Sequence, residues 1–227
     1  MNEVPVIVIS SPKSQSGKTT LAFNLAAALW SDGYHVNLFM PENLAADNFI
    51  SHRLAFCMHQ KISLPAPRSI TKLGDVKGSA DSKEVIIADI PTAKNDNYAD
   101  IFSRAHTLIT IADKPKDMQW KLNDSYLNLI WQAKKNIAAR GIKYLNWIAV
   151  ANLKNGQNWA DSLEDAAHRY GFRIAPPLKN RLAYRHIDEG YCAADMTGNS
   201  KVFKMSLEDV YARREILKLT DFLWKQK

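Results

Sequence analysis

The sequence predicts an α/β fold, a mostly parallel sheet covered by helices on both faces. Two observations predict it. Short apolar runs alternate with segments of helical spacing, the pattern of βαβ crossovers. The runs also lack strict polar–apolar alternation, as strands covered on both faces do. Val4 to Ile9 is the first strand, and Thr19 to Trp30 carries apolar residues at helical spacing. His35 to Met40 is a second strand, and Ala46 to His59 a helix. Lys61 to Lys83 carries Pro65, Pro67, Gly74 and Gly78, so a surface connection is expected there. Val85 to Ile90, Leu108 to Ala112 and Leu145 to Ala151 are further strands, with a long helical stretch at Met118 to Arg140. Trp159 to Tyr170 reads as a helix and Phe172 to Ala175 as a short strand, before helical segments near Leu178 to Asp188 and Leu207 to Trp224. Trp120, Trp131 and Trp147 lie among apolar residues and are expected in the core.

The 227 residues suit one domain spanning 1–227, and 46% hydrophobic with 23% charged residues is the profile of a globular core. No apolar run approaches the roughly 18 residues of a spanning helix. The start, Met1-Asn2-Glu3-Val4-Pro5, lacks the basic and apolar regions of a signal peptide, so a cytoplasmic setting is expected. Cys57 and Cys192 have no metal-ligand spacing around them and read as reduced, mostly buried thiols. The net charge of +7 favours a polyanionic partner, against the alternative of a solvated basic face.

Chemistry concentrates after the first strand, in Ser11-Pro12-Lys13-Ser14-Gln15-Ser16-Gly17-Lys18-Thr19-Thr20. A loop between strand and helix that ends in Gly-Lys-Thr turns backbone N–H groups toward phosphate oxygens at a helix N-terminus. Ser14, Gln15, Ser16, Gly17, Lys18, Thr19 and Thr20 are the expected nucleotide contacts, with Lys18 on the β- and γ-phosphates and Thr19 on Mg²⁺. Pro12 stands where the usual pattern has its first glycine. Val85-Ile86-Ile87-Ala88-Asp89 is an apolar strand ending in a carboxylate, placed either to hold Mg²⁺ through water or to cap the following segment. Asn152, at the end of another strand, has the residue type of a turn former.

Lys13 resembles the signature lysine of the deviant loop K-G-G-x-G-K-S/T that marks the ParA/MinD family. The resemblance narrows to the MipZ division-site regulators over nearly the whole chain. It rests on Phe49-Ile50-Ser51-His52-Arg53, Lys61-Ile62-Ser63-Leu64-Pro65, Asn146-Trp147-Ile148-Ala149-Val150 and Leu178-Lys179-Asn180-Arg181-Leu182-Ala183-Tyr184-Arg185, with Ala212-Arg213-Arg214-Glu215 in the last helix.

The family implies ATP and Mg²⁺ as ligands and a homodimer that sandwiches two nucleotides, in which Lys13 reaches the partner's phosphates. It also implies nonspecific DNA binding, a ParB-like partition partner and an FtsZ-like division partner. Asp89 and Pro91 match the family's D-x-P switch, with Thr92 where glycine is usual, and Asn152 matches its adenine-recognising asparagine. The sequence departs at Ser14 and Gln15, which replace two glycines, and at Met40, where relatives begin a D-x-D switch. Glu42 keeps that switch's second carboxylate, one methylene longer, as the catalytic candidate beside Lys13 and Lys18. A slow ATPase is the resulting expectation, since errors of about 1 Å cost on the order of a hundredfold in rate.

Lys179, Arg181, Arg185, Arg213 and Arg214 are the DNA-contact candidates, or alternatively solvated and salt-bridged helix faces. The last helix mixes Leu217, Phe222, Leu223 and Trp224 with lysines; core packing, without membrane insertion, is expected of it. Two other readings stay open: a pseudo-ATPase that binds DNA or protein constitutively, and a small-molecule ATP-dependent enzyme of the same fold.

Overall fold

The structure is a computed structural model, and it describes residues 3–41, 45–78, 83–91, 98–120, 124–141, 144–153, 159–196 and 202–224. Four strands are buried almost throughout: β1 (Val6–Ser10), β4 (Glu84–Asp89), β5 (Thr107–Ala112) and β6 (Asn146–Leu153). Continuous burial forbids a solvent face, which is why their sequences run apolar without alternating. With β2 (His35–Phe39), β3 (Arg68–Ile70) and β7 (Arg173–Ile174) they form a parallel sheet in the order β3-β2-β4-β1-β5-β6-β7. The two-residue β8 (Leu178–Lys179) pairs with the far end of β6.

Helices cover both faces. On one lie α1 (Lys18–Ser31), α2 (Ala45–Gln60), α6 (Leu207–Trp224) and the 3₁₀ segments Leu182–Glu189 and Ala193–Asp195. On the other lie α3 (Ala99–Ser103), α4 (Ser125–Ala139) and α5 (Glu164–Tyr170) over Trp120, Trp147 and Phe172. Caps set several ends. The Asp124 carboxylate accepts from the Tyr126 and Leu127 N–H groups to start α4, and Gly171 at φ 72° closes α5. Ala212, Ile216, Leu219, Thr220 and Leu223 of α6 are buried, so this helix packs on the domain as expected. Among the described residues no helix is long and apolar enough to cross a membrane.

The sequence-based expectations differ in four places. The presumed surface connection holds β3, a three-residue edge strand with one buried side chain, Ile70, too short to leave a periodic signal. Leu178 to Asp188 is not an α-helix: β8 and the 3₁₀ run Leu182–Glu189 share it. Among the described residues of the stretch Met118 to Arg140, Ser125–Ala139 are α-helical and Met118 to Trp120 are not. Trp131 is not core; helical spacing points Leu127, Ile130 and Ala133 inward and leaves Trp131 41% exposed. Both cysteines are free; Cys192 is buried and Cys57 half-buried.

One ion pair locks the α1–α2–α6 face. Arg53 of α2 is 1% exposed, and its two terminal nitrogens meet the Asp195 carboxylate at 2.7 and 2.6 Å. Its Nε donates to the Pro65 carbonyl at 2.5 Å, and Nη1 also reaches the Gly190 carbonyl at 3.3 Å. Gly190 sits at φ +91°, and a Cβ there would lie 2.4 Å from the His52 carbonyl oxygen, so α2 and this turn touch backbone to backbone. Removing one partner of such a pair strands a buried charge. Arg53→Ala is therefore expected to lose about 3–5 kcal/mol in urea unfolding, and Arg53→Lys recovers little because an ammonium cannot span both oxygens.

Candidate functional site

The sheet order puts β1 between β4 and β5, with chain crossing to opposite sides, and ligands bind α/β sheets at the carboxyl end of such a switch point. The phosphate loop leaves β1 there. Ser11 anchors it: its hydroxyl donates to the Ile111 carbonyl at 2.8 Å and accepts from the Lys13 N–H at 3.2 Å. Beneath, the Tyr126 hydroxyl bonds both Ser10 (2.6 Å) and Thr110 (2.8 Å), and complete burial pushes its pKa up to about 12. Gln15 has φ 55° and Gly17 φ 92°. The loop thus keeps a left-handed turn at Gln15, where glycine would adopt it without the roughly 1–2 kcal/mol that a Cβ costs.

Gly17 begins α1, and a Cβ on it would lie 3.2 Å from the Asn152 Nδ2. That amide donates to the Ser16 carbonyl at 2.9 Å, so Asn152 braces the loop from the end of β6. Lys18 is buried, its ammonium on the Lys13 carbonyl at 3.2 Å. Burial lowers its pKa, opposed by the nearby Asp89 and Asp113 charges. Thr19 donates to the Asp89 Oδ2 at 2.5 Å. Asp89 ends β4, and burial raises its pKa against the opposing pull of Thr19 and Lys18.

These residues fit a nucleotide with Mg²⁺. The Asp89 Oδ1 and the Ser16 Oγ are buried without hydrogen-bond partners, which leaves acceptor capacity beside Lys18 and Thr19 at a helix N-terminus. Among the described residues no cluster of three or more His, Cys, Asp or Glu could hold a metal unaided. A single carboxylate with a hydroxyl suits Mg²⁺, which keeps waters and shares phosphate oxygens. Beside the loop opens a cavity of about 190 Å³, lined by Gly17, Asn24, Asn152, Leu178, Tyr184 and Arg185 among others.

Other expected site residues fall differently. Ser14 and Gln15 are exposed at the loop tip, and Thr20 lines the cavity. Lys13 pairs with Asp117 at 2.5 Å, a partner that the sequence reading missed. Lys114-Pro115-Lys116-Asp117 signals a proline-led 3₁₀ turn closed by an aspartate, but not the distant lysine. Met40 follows β2, half-buried against the core, while Glu42 and Thr92 lie outside the described residues.

Arg181 is committed to α6. Nε and Nη2 meet the Glu215 Oε1 at 2.9 and 2.7 Å, Nη1 meets Glu208 at 2.9 Å, and the guanidinium lies over the Tyr211 ring. Glu215 also accepts from the Tyr184 hydroxyl at 2.8 Å and the Lys179 N–H at 3.1 Å, organising the cavity's far wall. The side chains of Lys179, Arg185 and Arg214 are exposed, and Arg213 is half-buried.

The sequence model of the family described as ATPase MipZ matches residues 75–224, more than half of the chain. The chain belongs to the ATPase MipZ family. No curated protein matches the sequence. Among solved structures, the MinD cell division protein of Aquifex aeolicus is 17% identical, with 99% of this chain and 98% of that one covered at a TM-score of 0.60. MinD complexed with Mg-ADP from Pyrococcus horikoshii OT3 is 14% identical, covering 98% and 96% at 0.59. The ATP complex of a Cyanothece McdA variant is 15% identical, covering 100% and 99% at 0.57. At these identities the likeness is one of fold, the ParA/MinD-type P-loop architecture that this MipZ-family chain shares.

Asp89 gives a signed expectation. A carboxylate whose pKa is raised by folding lowers stability as pH rises from its ordinary value through the elevated one. Asp89→Asn keeps an oxygen for Thr19 and removes the buried charge. The metal-free variant is therefore expected to melt a few degrees higher than the parent at pH 7 and to match it near pH 3, while losing the stabilisation that Mg·ATP gives the parent. Thermal unfolding with and without Mg·ATP at both pH values checks this.

Proposed function

We propose that this chain is an ATP-dependent dimerisation switch, a single domain over residues 1–227 acting in the cytoplasm, with a slow ATPase as its timer. The observation that carries the reading is the Lys18–Thr19–Asp89 constellation with the unpartnered Asp89 Oδ1 beside it. Lys18 would neutralise the phosphates, and Thr19 with Asp89 would hold Mg²⁺, which when bound draws charge off the transferring phosphoryl group. Asn152, Tyr184 and the cavity beside them would take the base and ribose. Met40, packed against the core in place of a carboxylate, supports a slow hydrolytic step.

Two surfaces follow from the switch. Lys179, Arg185, Arg213 and Arg214, with Arg181 fixed behind them, would meet DNA phosphates without reading bases. A partition protein of the ParB kind and a tubulin-like division protein of the FtsZ kind are the expected protein partners. Aquifex aeolicus MinD, of the same fold, is known in complex with MinC, which supports protein engagement. Met40 and the strained Gln15 favour one competing reading, a constitutive binder without nucleotide control.

Sedimentation velocity with Mg·ATP, Mg·ADP and no nucleotide separates the two. A dimer only with Mg·ATP, lost in Lys18→Ala along with at least a hundredfold in ATP affinity, is expected. One unchanged species in all three conditions would replace the switch with the constitutive binder.

A further inference from the structure

Lys13, the residue that the switch needs at the facing subunit, is secured at three points inside its own. Its N–H donates to Ser11 Oγ, its carbonyl accepts the Lys18 ammonium, and its side chain ends on Asp117 at 2.5 Å. The contact is asymmetric: the lysine side chain is 43% exposed and the Asp117 side chain 2%. Asp117 divides its oxygens. Oδ2 accepts the Asp113 and Lys114 N–H groups, both at 3.1 Å, and so holds the turn after β5 closed. Oδ1 is given to Lys13.

We propose that Asp117 is a positioning residue that stows Lys13 in cis, holding the free chain back from pairing until a partner's bound ATP supplies a stronger anion. The proposal rests on the ATP-dependent pairing proposed above. When Lys13 leaves, a desolvated carboxylate keeps only its two backbone donors, and that loss must be offset by new phosphate contacts. The ammonium can satisfy one anionic site at a time. A triphosphate offers more charge than a diphosphate, so the stowed lysine sharpens discrimination between ATP and ADP at the pairing step.

Asp117→Asn is the clean variant, because its oxygen can retain both backbone bonds at the Oδ2 position while its amide faces Lys13 without attraction. The dimer dissociation constant, measured by sedimentation in Mg²⁺ with a non-hydrolysable ATP analogue, is expected to fall about three- to tenfold. In the nucleotide-free monomer, acetylation of Lys13 followed by mass spectrometry is expected to speed up several-fold, with the exposed Lys114 and Lys116 unchanged. A turn that had merely loosened would not change Lys13 selectively.

An unchanged or weaker dimer, or unchanged Lys13 acetylation, overturns the proposal. If the parent stays monomeric with ATP, the switch reading as stated fails. Dimerisation of Asp117→Asn alone would then show the latch in its strongest form, and no dimer from either chain would sink both. Should the variant not fold, the parent carries the test. Lys13 should acetylate several-fold more slowly than Lys114 and Lys116 at low salt, the gap closing toward 1 M salt; equal rates at low salt overturn the latch.

Discussion

The buried pairing of Arg53 with Asp195 is the constraint on which the nucleotide face depends. Asp195 also accepts the Cys192 N–H at 2.7 Å, fixing the turn that follows Gly190. The next residue, Ala193, donates its N–H to the Asn24 Oδ1 at 2.9 Å, and Asn24 belongs to α1 and lines the cavity. Strand by strand the sheet would form without this chain of contacts. The wall opposite the phosphate loop would not, because residues 182–195 contain no α-helix and are held by such side-chain bonds. A guanidinium suits that task, since its fork can bind a carboxylate with two nitrogens and still donate to carbonyls.

A second network reaches the same wall from α6. Glu215 gathers Arg181, the Tyr184 hydroxyl and the Lys179 N–H, and burial together with the neighbouring Glu215 charge raises the pKa of Tyr184. A carboxylate with so many donors joins α6 to the segment after β8. The MipZ-like string from Leu178 to Arg185 therefore has a structural duty beyond any contact with a ligand: it couples the last helix to the cavity.

Much of the fold was legible because buried parallel strands write themselves as apolar runs, and β1, β2, β4, β5 and β6 fall within two residues of expectation. What escaped was short or held by distant partners. β3 has three residues, and Leu182–Glu189 is a 3₁₀ run with two buried side chains, Ala183 and Tyr184. The phosphate loop was readable because Gly-Lys-Thr must follow a strand to work, and its position did follow one. Asp117 was not, since an aspartate in a proline turn announces a cap but not the lysine more than a hundred residues earlier that folding brings to it. The His106 Nδ1, which accepts the N–H of Val6 in β1, is another partner set by folding alone.

Helix α1, which follows the phosphate loop, is buried at every residue from Leu21 to Leu29. It lies between the sheet on one side and α6 with the Ala193–Asp195 turn on the other. A helix without a solvent face has little room to tilt, so it serves as a stator. Any response to a phosphate at its N-terminus would then fall to the segments that leave the strand ends after Phe39, Asp89 and Ala112. The core that gives the loop its accuracy thereby decides which parts of the molecule are free to carry its message.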